Sequence, residues 1–177
     1  MAKPTERDQK FIDYLQTLVD NRAALAHLRR GLGQSPGAEP QMFPYVARWM
    51  KLDEYWHTEQ AYYLIAALFA YHPDTATSGN MGDHFARLCH QQNEATALER
   101  RFVNLLAAHP DDLARFHLRQ VVSYLKSHDI AINWAQLLAD VQGWGHPNRR
   151  VQTQWAKAFW AGTQPAPTED EIEIVNQ

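Results

Sequence analysis

One stretch, residues 94–126 (EATALERRFVNLLAAHPDDLARFHLRQVVSYLK), limits the folds open to this chain more than any other. Its apolar residues recur at helical spacing and the pair His109-Pro110 interrupts them once, so the stretch reads as two helices joined by a turn. Leu98, Phe102, Leu105 and Leu106 form one buried stripe at i, i+4, i+7 and i+8. Leu113, Phe116, Val121 and Leu125, with Leu118 beside them, form the second. Arg100, Arg101, Arg115, Arg119 and Lys126 are left to face outward or toward a partner. No nucleophile, metal cluster or glycine loop interrupts the pattern. A packed helical hairpin carrying cations suits gripping better than catalysis.

The same period runs through the rest of the chain. Thr5-Glu6-Arg7-Asp8 has the form of a capping box. Phe11, Leu15, Leu18, Arg22, Leu25 and Leu28 follow on a drifting stripe, which Gly31 and Gly33 stop. Prolines and glycine mark 34–44 as a loop, and 45–50 reads as a short helix. A stronger helix spans 54–71, with Tyr55, Tyr62, Ile65, Ala66 and Phe69 inward and Pro73 beyond its end. After a loop over 74–82 comes a modest helix over 84–91, then the central hairpin. Asn133 caps a helix from Trp134 to Gln142, and a last helix following His146-Pro147-Asn148 turns Val151, Trp155 and Phe159 inward. Nothing alternates with period two over the length of a strand. The expected fold class is all-α with no sheet.

A chain of 177 residues, 45% hydrophobic, is long enough for one good core or two small helical halves. No apolar run approaches the roughly 20 residues that span a bilayer. The longest, Ala61–Ala70, runs into His72-Pro73 and reads as a core helix. The N-terminus lacks the apolar segment of a signal peptide, and one cysteine, Cys89, fits a reducing compartment, so the expectation is a cytoplasmic protein without a membrane partner. The net charge of −3 needs dividing. After Gly162 the chain holds four acids and no base, leaving 17 bases against 16 acids elsewhere. From His84 to Trp160 nine bases face six acids, a mild excess that implies weak affinity for nucleic acid alone.

Candidate reaction centres are few. Glu54-Tyr-Trp-His57 has the Glu-x-x-His spacing of di-iron bundles, but no second such pair exists to complete that ligand set. His84, Cys89 and His90 lack tetrahedral-site spacing, and Cys89 sits in an apolar helical pattern. Ser123 and Ser127 have no nucleophile elbow around them. The expectation is no catalytic residue, no metal and no cofactor. Of the six tryptophans, which pack first and could otherwise stack on bases or anchor an interface, Trp144 between Gly143 and Gly145 is the best candidate for exposure. Twelve of the 17 bases are arginines, whose planar forks match phosphate oxygens. Arg29-Arg30, Arg100-Arg101 and Arg149-Arg150 are adjacent pairs, so the two members of each point about 100° apart on a helix. Phosphate binding and internal ion pairing, as between Glu99 and Arg100, both stay open from spacing.

Six blocks occur in an order that carries a resemblance: LAHLRRGLG (25–33), LIAALFAYHP (64–73), ERRFVNLL (99–106), HLRQVVSYLKS (117–127), INWAQLLADV (132–141) and VQTQWAKAFW (151–160). Together they resemble the CasB family, the small subunit of the type I-E CRISPR surveillance complex Cascade, over roughly residues 8–160. The resemblance implies two small packed helical bundles, here residues 1–82 and 83–161; the tail over 162–177 falls outside it and reads as disordered from its prolines and acidic run. The resemblance also implies a non-catalytic subunit that sits as a pair within the complex, against the backbone and large subunits. Its basic surface would stabilise the R-loop by holding the crRNA-guided target DNA and the displaced strand. That role falls first on Arg30, Arg101 and Arg119, then on Arg29, Arg100, Lys126, Arg149 and Arg150. The alternative is a structural spacer without nucleic-acid contact.

Overall fold

Residue 61 begins a run of ten side chains, Ala61 to Ala70, that are buried on every side, and the rest of the chain is arranged to cover them. A helix that is apolar all round has no face to give to water and must be sheathed by others. The structure, a computed structural model, describes residues 3–91 and 95–163, without the side chains of Ala95, Ala114 and Arg115. The described residues form ten α-helices and no strand; one isolated parallel bridge joins Thr75 to Ile132.

The helices are α1 (Glu6–Thr17), α2 (Arg22–Arg29), α3 (Phe43–Val46), α4 (Trp56–Tyr71), α5 (Met81–Gln91), α6 (Ala95–Ala107), α7 (Pro110–Asp112), α8 (Leu118–Ser127), α9 (Trp134–Gly143) and α10 (Arg150–Thr163). The buried helix is α4, and α1, α2, α3 and α9 pack against it. Buried Asp8 ties three of these together. It closes the capping box with Thr5, accepts the Tyr62 hydroxyl at 2.6 Å and accepts the Gln142 amide at 3.2 Å. Desolvation and that carboxylate push the Tyr62 phenol well above its ordinary pKa. Farther along the same core α10 lies along α5, and α6 closes the layer with Phe102, 4.4 Å from Phe159 and 5.0 Å from Phe85.

Several sequence expectations change for local reasons. The stripe from Phe11 to Leu28 is two helices, because the Asn21 side chain accepts the Ala24 amide and starts a new N-terminus. Tyr55, expected inward, precedes α4 as its N-cap and is 67% exposed. Phe116, expected in the buried stripe, is 59% exposed. Residues Leu113–His117 form a π-helical turn between α7 and α8, and the extra residue per turn carries Phe116 out and Leu118 in. Trp144, expected at an exposed interface, is 2% exposed, packed 4.8 Å from Trp155 with its indole donating to Ala108 O at 3.0 Å. α10 continues through Thr163; the acidic stretch beyond it, residues 164–177, lies outside the described residues.

Candidate nucleic-acid interface

Arg101 on α6 and Arg119 on α8 each adjoin a buried residue, Phe102 following the first and Leu118 preceding the second. Neighbours on a helix diverge by about 100°, so burying one partner turns the arginine toward the rim of the core. The two rims face each other across an open groove of about 920 Å³. Its walls include Arg101, Arg119, Phe116, Ser123, Tyr124 and the loop 33–35 after α2. The Arg101 guanidinium sits 5.2 Å from the centre of the Tyr124 ring, a cation–π contact that orients it without neutralising it. Gly33 has φ +82°, and a Cβ there would lie 3.0 Å from Arg119 Nη1. Glycine thus serves both the left-handed turn and the close passage of the guanidinium.

Among the described residues no carboxylate lines this groove. Among the described residues the ion pairs are Arg7–Glu54, Lys10–Glu6 and two histidine–aspartate contacts, so none of the eight predicted cations is locked onto a described carboxylate. Glu99, the expected competitor for Arg100, instead accepts from Trp160 Nε1 at 3.3 Å. Arg115 is the exception to this survey, its side chain being outside the description.

The remaining predicted cations divide. Arg29 Nε donates to Ala70 O at 2.7 Å and Lys126 Nζ to Tyr71 O at 2.6 Å, so two cations from other helices converge on the C-terminus of α4. No basic residue stands in the last turn of α4 itself, and its terminal carbonyls carry the negative end of the helix dipole. Arg149, at φ +47°, does the same for α6 by donating to Leu106 O at 2.5 Å. Arg30 donates to Gln41 and stands outside the groove lining, although the Gln34 amide, within it, bonds the Arg30 carbonyl. Arg100 and Arg150 are exposed on α6 and at the start of α10. Lys126→Ala and Arg29→Ala are each expected to cost about 1 kcal/mol or less of folding stability, read as a lower urea midpoint. An unchanged midpoint in both variants would show that the caps contribute nothing.

Other chemistry finds little support in the geometry. Glu54 is bonded to Arg7, which holds its carboxyl below the usual range, and the His57 ring stacks 3.9 Å from Trp56. No group of three or more His, Cys, Asp or Glu among the described residues could hold a metal ion. Burial pushes the Cys89 thiol up, away from a nucleophilic thiolate. No helix of the described residues is long and apolar enough to cross a membrane.

Comparison with known proteins gives the family of this fold. The family model described as CRISPR-associated protein Cse2 matches residues 24–160. The chain belongs to the CRISPR-associated Cse2 family. Within that family it is 34% identical over 172 residues to a CRISPR-associated protein Cse2 of Thermus thermophilus, covering 93% of this chain and 97% of that one. The crystal structure of M. ruber CasB superposes with a TM-score of 0.76 at 30% identity, covering 97% of this chain and 99% of the other. A chain from a CRISPR RNA-guided surveillance complex shares the fold, with a TM-score of 0.78 at 24% identity and 97% and 98% coverage. The CasB resemblance read from the six blocks and the all-α fold class therefore hold. What the blocks could not supply for this Cse2 chain was the wall of the groove opposite Arg119. Gly33 and Ser35 come from a segment far in sequence from α8, which carries Arg119 and Tyr124, and the only local signal was the glycine pair after Arg30.

Proposed function

We propose that this Cse2-family chain is the non-catalytic small subunit of a type I-E CRISPR Cascade surveillance complex, where its cationic groove holds the sugar-phosphate backbone of DNA during R-loop formation. The observation that carries the reading is the juxtaposition of Arg101 and Arg119 in one open groove without a described carboxylate partner. Opening duplex DNA against a guide is close to energetically balanced, so a few backbone contacts tip it. Those contacts act without reading sequence, because each neutralised phosphate releases counterions whatever the base. Its partners would be the backbone and large subunits, a second copy of this chain, and the crRNA-guided target DNA with its displaced strand. Such a complex works in the cytoplasm, in antiviral defence. Arg30 and Arg100 would extend the track, while Arg29, Lys126 and Arg149 would reach a strand only with the donors their caps leave free. Residues 1–82 and 83–161 would form two bundles, with α9 joining them, since it packs on α1 and α4 as well as on α10.

The test is the double charge reversal Arg101→Glu plus Arg119→Glu in the reconstituted complex. Assembly is expected to be intact and target-DNA affinity to fall by about tenfold or more, with the salt slope shallower by about 1.4 for two single-strand phosphates. Full affinity in the double variant would favour a spacer subunit whose arginines touch no strand.

A further inference from the structure

A second cavity of about 740 Å³ adjoins the cationic groove, and Ser35 lines both. It lies between the start of α4, the His109–Leu113 corner and the α9–α10 turn. Its outer wall is aromatic and wet. Trp56 is 50% exposed and Tyr55 67% exposed, with the His57 ring tilted only 34° against Trp56. Facing groups include His109 and His146. Their Nδ1 atoms accept the amide protons of Asp111 and Asn148, at 3.4 and 3.2 Å, which leaves Nε2 of each ring as the donor.

From this juxtaposition we infer that the cavity is a base-stacking pocket, which takes an unstacked base from a single strand whose phosphates lie on Arg101 and Arg119. The inference rests on the phosphate reading of the groove and adds a site to it. A strand leaving that groove past Ser35 meets an exposed indole face, and every base has a π-face to lay on it. The two Nε2–H donors suit the carbonyl oxygens of a pyrimidine edge. The one acid in the lining, Asp111, accompanies His109 and leaves the indole face uncharged. A protein side chain would use the same apolar wall; continuity with the cationic groove favours the strand.

The experiment uses the full chain at low ionic strength, with fluorescence anisotropy of two single strands of equal length, oligothymidylate and its abasic counterpart. The wild type is expected to bind the thymidylate strand about tenfold more tightly than the abasic one. Trp56→Ala should abolish that preference without changing abasic binding or the melting temperature, and Trp56→Phe should restore most of it. Arg101→Glu plus Arg119→Glu should weaken both strands equally. Equal binding of the two strands by the wild type, or a preference that survives Trp56→Ala, overturns the inference. Unchanged strand binding in Trp56→Ala together with failed assembly into the complex would overturn it in favour of a protein neighbour. No binding of either strand overturns it along with the groove. A base preference lost with Trp56, while the arginine reversal changes nothing, leaves the pocket standing and removes the groove.

Discussion

Gly82→Ala is expected to lower the melting temperature of this chain by about 6–12 °C, the equivalent of about 3 kcal/mol for a domain of this size. Gly82 is buried on α5 where α10 passes it, and a Cβ there would stand 2.0 Å from the backbone oxygen of Trp155. A flexible side chain could swing aside at that distance, but a helical carbonyl cannot. Relief requires α10 to slide outward, and Trp155 opposes the slide: its ring is fully buried and its indole donates to Asp140 at 2.7 Å. The seam continues at Gly162, whose Cβ would meet that of Ala86 at 2.7 Å. Gly145→Ala is the control, since the nearest atom to its added Cβ is Pro110 Cγ at an ordinary 3.6 Å. Its melting temperature should match the wild type within about 2 °C. If thermal unfolding shows Gly82→Ala melting with that control, helix α10 does not lie against α5 as described.

The second large effect is a hidden one, an acid sensitivity masked in the wild type. His84 is 1% exposed and its Nε2 accepts the Asn133 amide at 3.1 Å. Burial, helped by nearby Arg87, lowers its pKa from 6.5 to about 4. An unfolded chain therefore takes this proton near pH 6.5 while the folded one refuses it, and stability is lost as pH falls from 6.5 toward 4. Asp140 has the opposite sign. Burial raises its pKa from 3.8 to about 6, against the Trp155 and Gln136 hydrogen bonds that favour the carboxylate. The folded chain takes that proton first, so stability is gained as pH falls through 6 toward 3.8. Each effect amounts to about 2–3 kcal/mol by pH 4.5, and they nearly cancel. Urea unfolding of the wild type is expected to give stabilities within about 1 kcal/mol of each other at pH 7 and pH 4.5. Asp140→Asn keeps the side-chain shape but cannot titrate, so that variant should lose about 2–3 kcal/mol between the same two pH values. Equal pH profiles for variant and wild type would mean that Asp140 stays charged in the folded chain throughout, as it does in the unfolded one.

Much of this fold is legible from short range. The Thr5–Asp8 capping box forms as its spacing indicates, Asn133 caps α9, and Val151, Trp155 and Phe159 are all buried on α10. These features depend on residues three to eight apart, and that reach is what a helical period encodes. The candidate site is legible only in its parts. Arg101 and Arg119 stand out by type and position, yet nothing in the order of residues indicates that the loop after α2 closes the groove between them. The roles of Arg29, Lys126 and Arg149 were equally hidden, because the carbonyls they bond belong to helices 41, 55 and 43 residues away in the chain.

By itself, then, the order of residues determined where turns of helix begin, which stripes seek the core and which family the chain resembles, all being matters of local dihedral preference and periodic burial. Tertiary structure alone decided which cations are spent on helix ends and which stay free, which tryptophan is hidden, and that Arg101 meets Arg119 across a groove. Those outcomes turn on which backbone carbonyls and aromatic faces arrive next to each side chain once α4 is sheathed, and such encounters are set by three-dimensional packing.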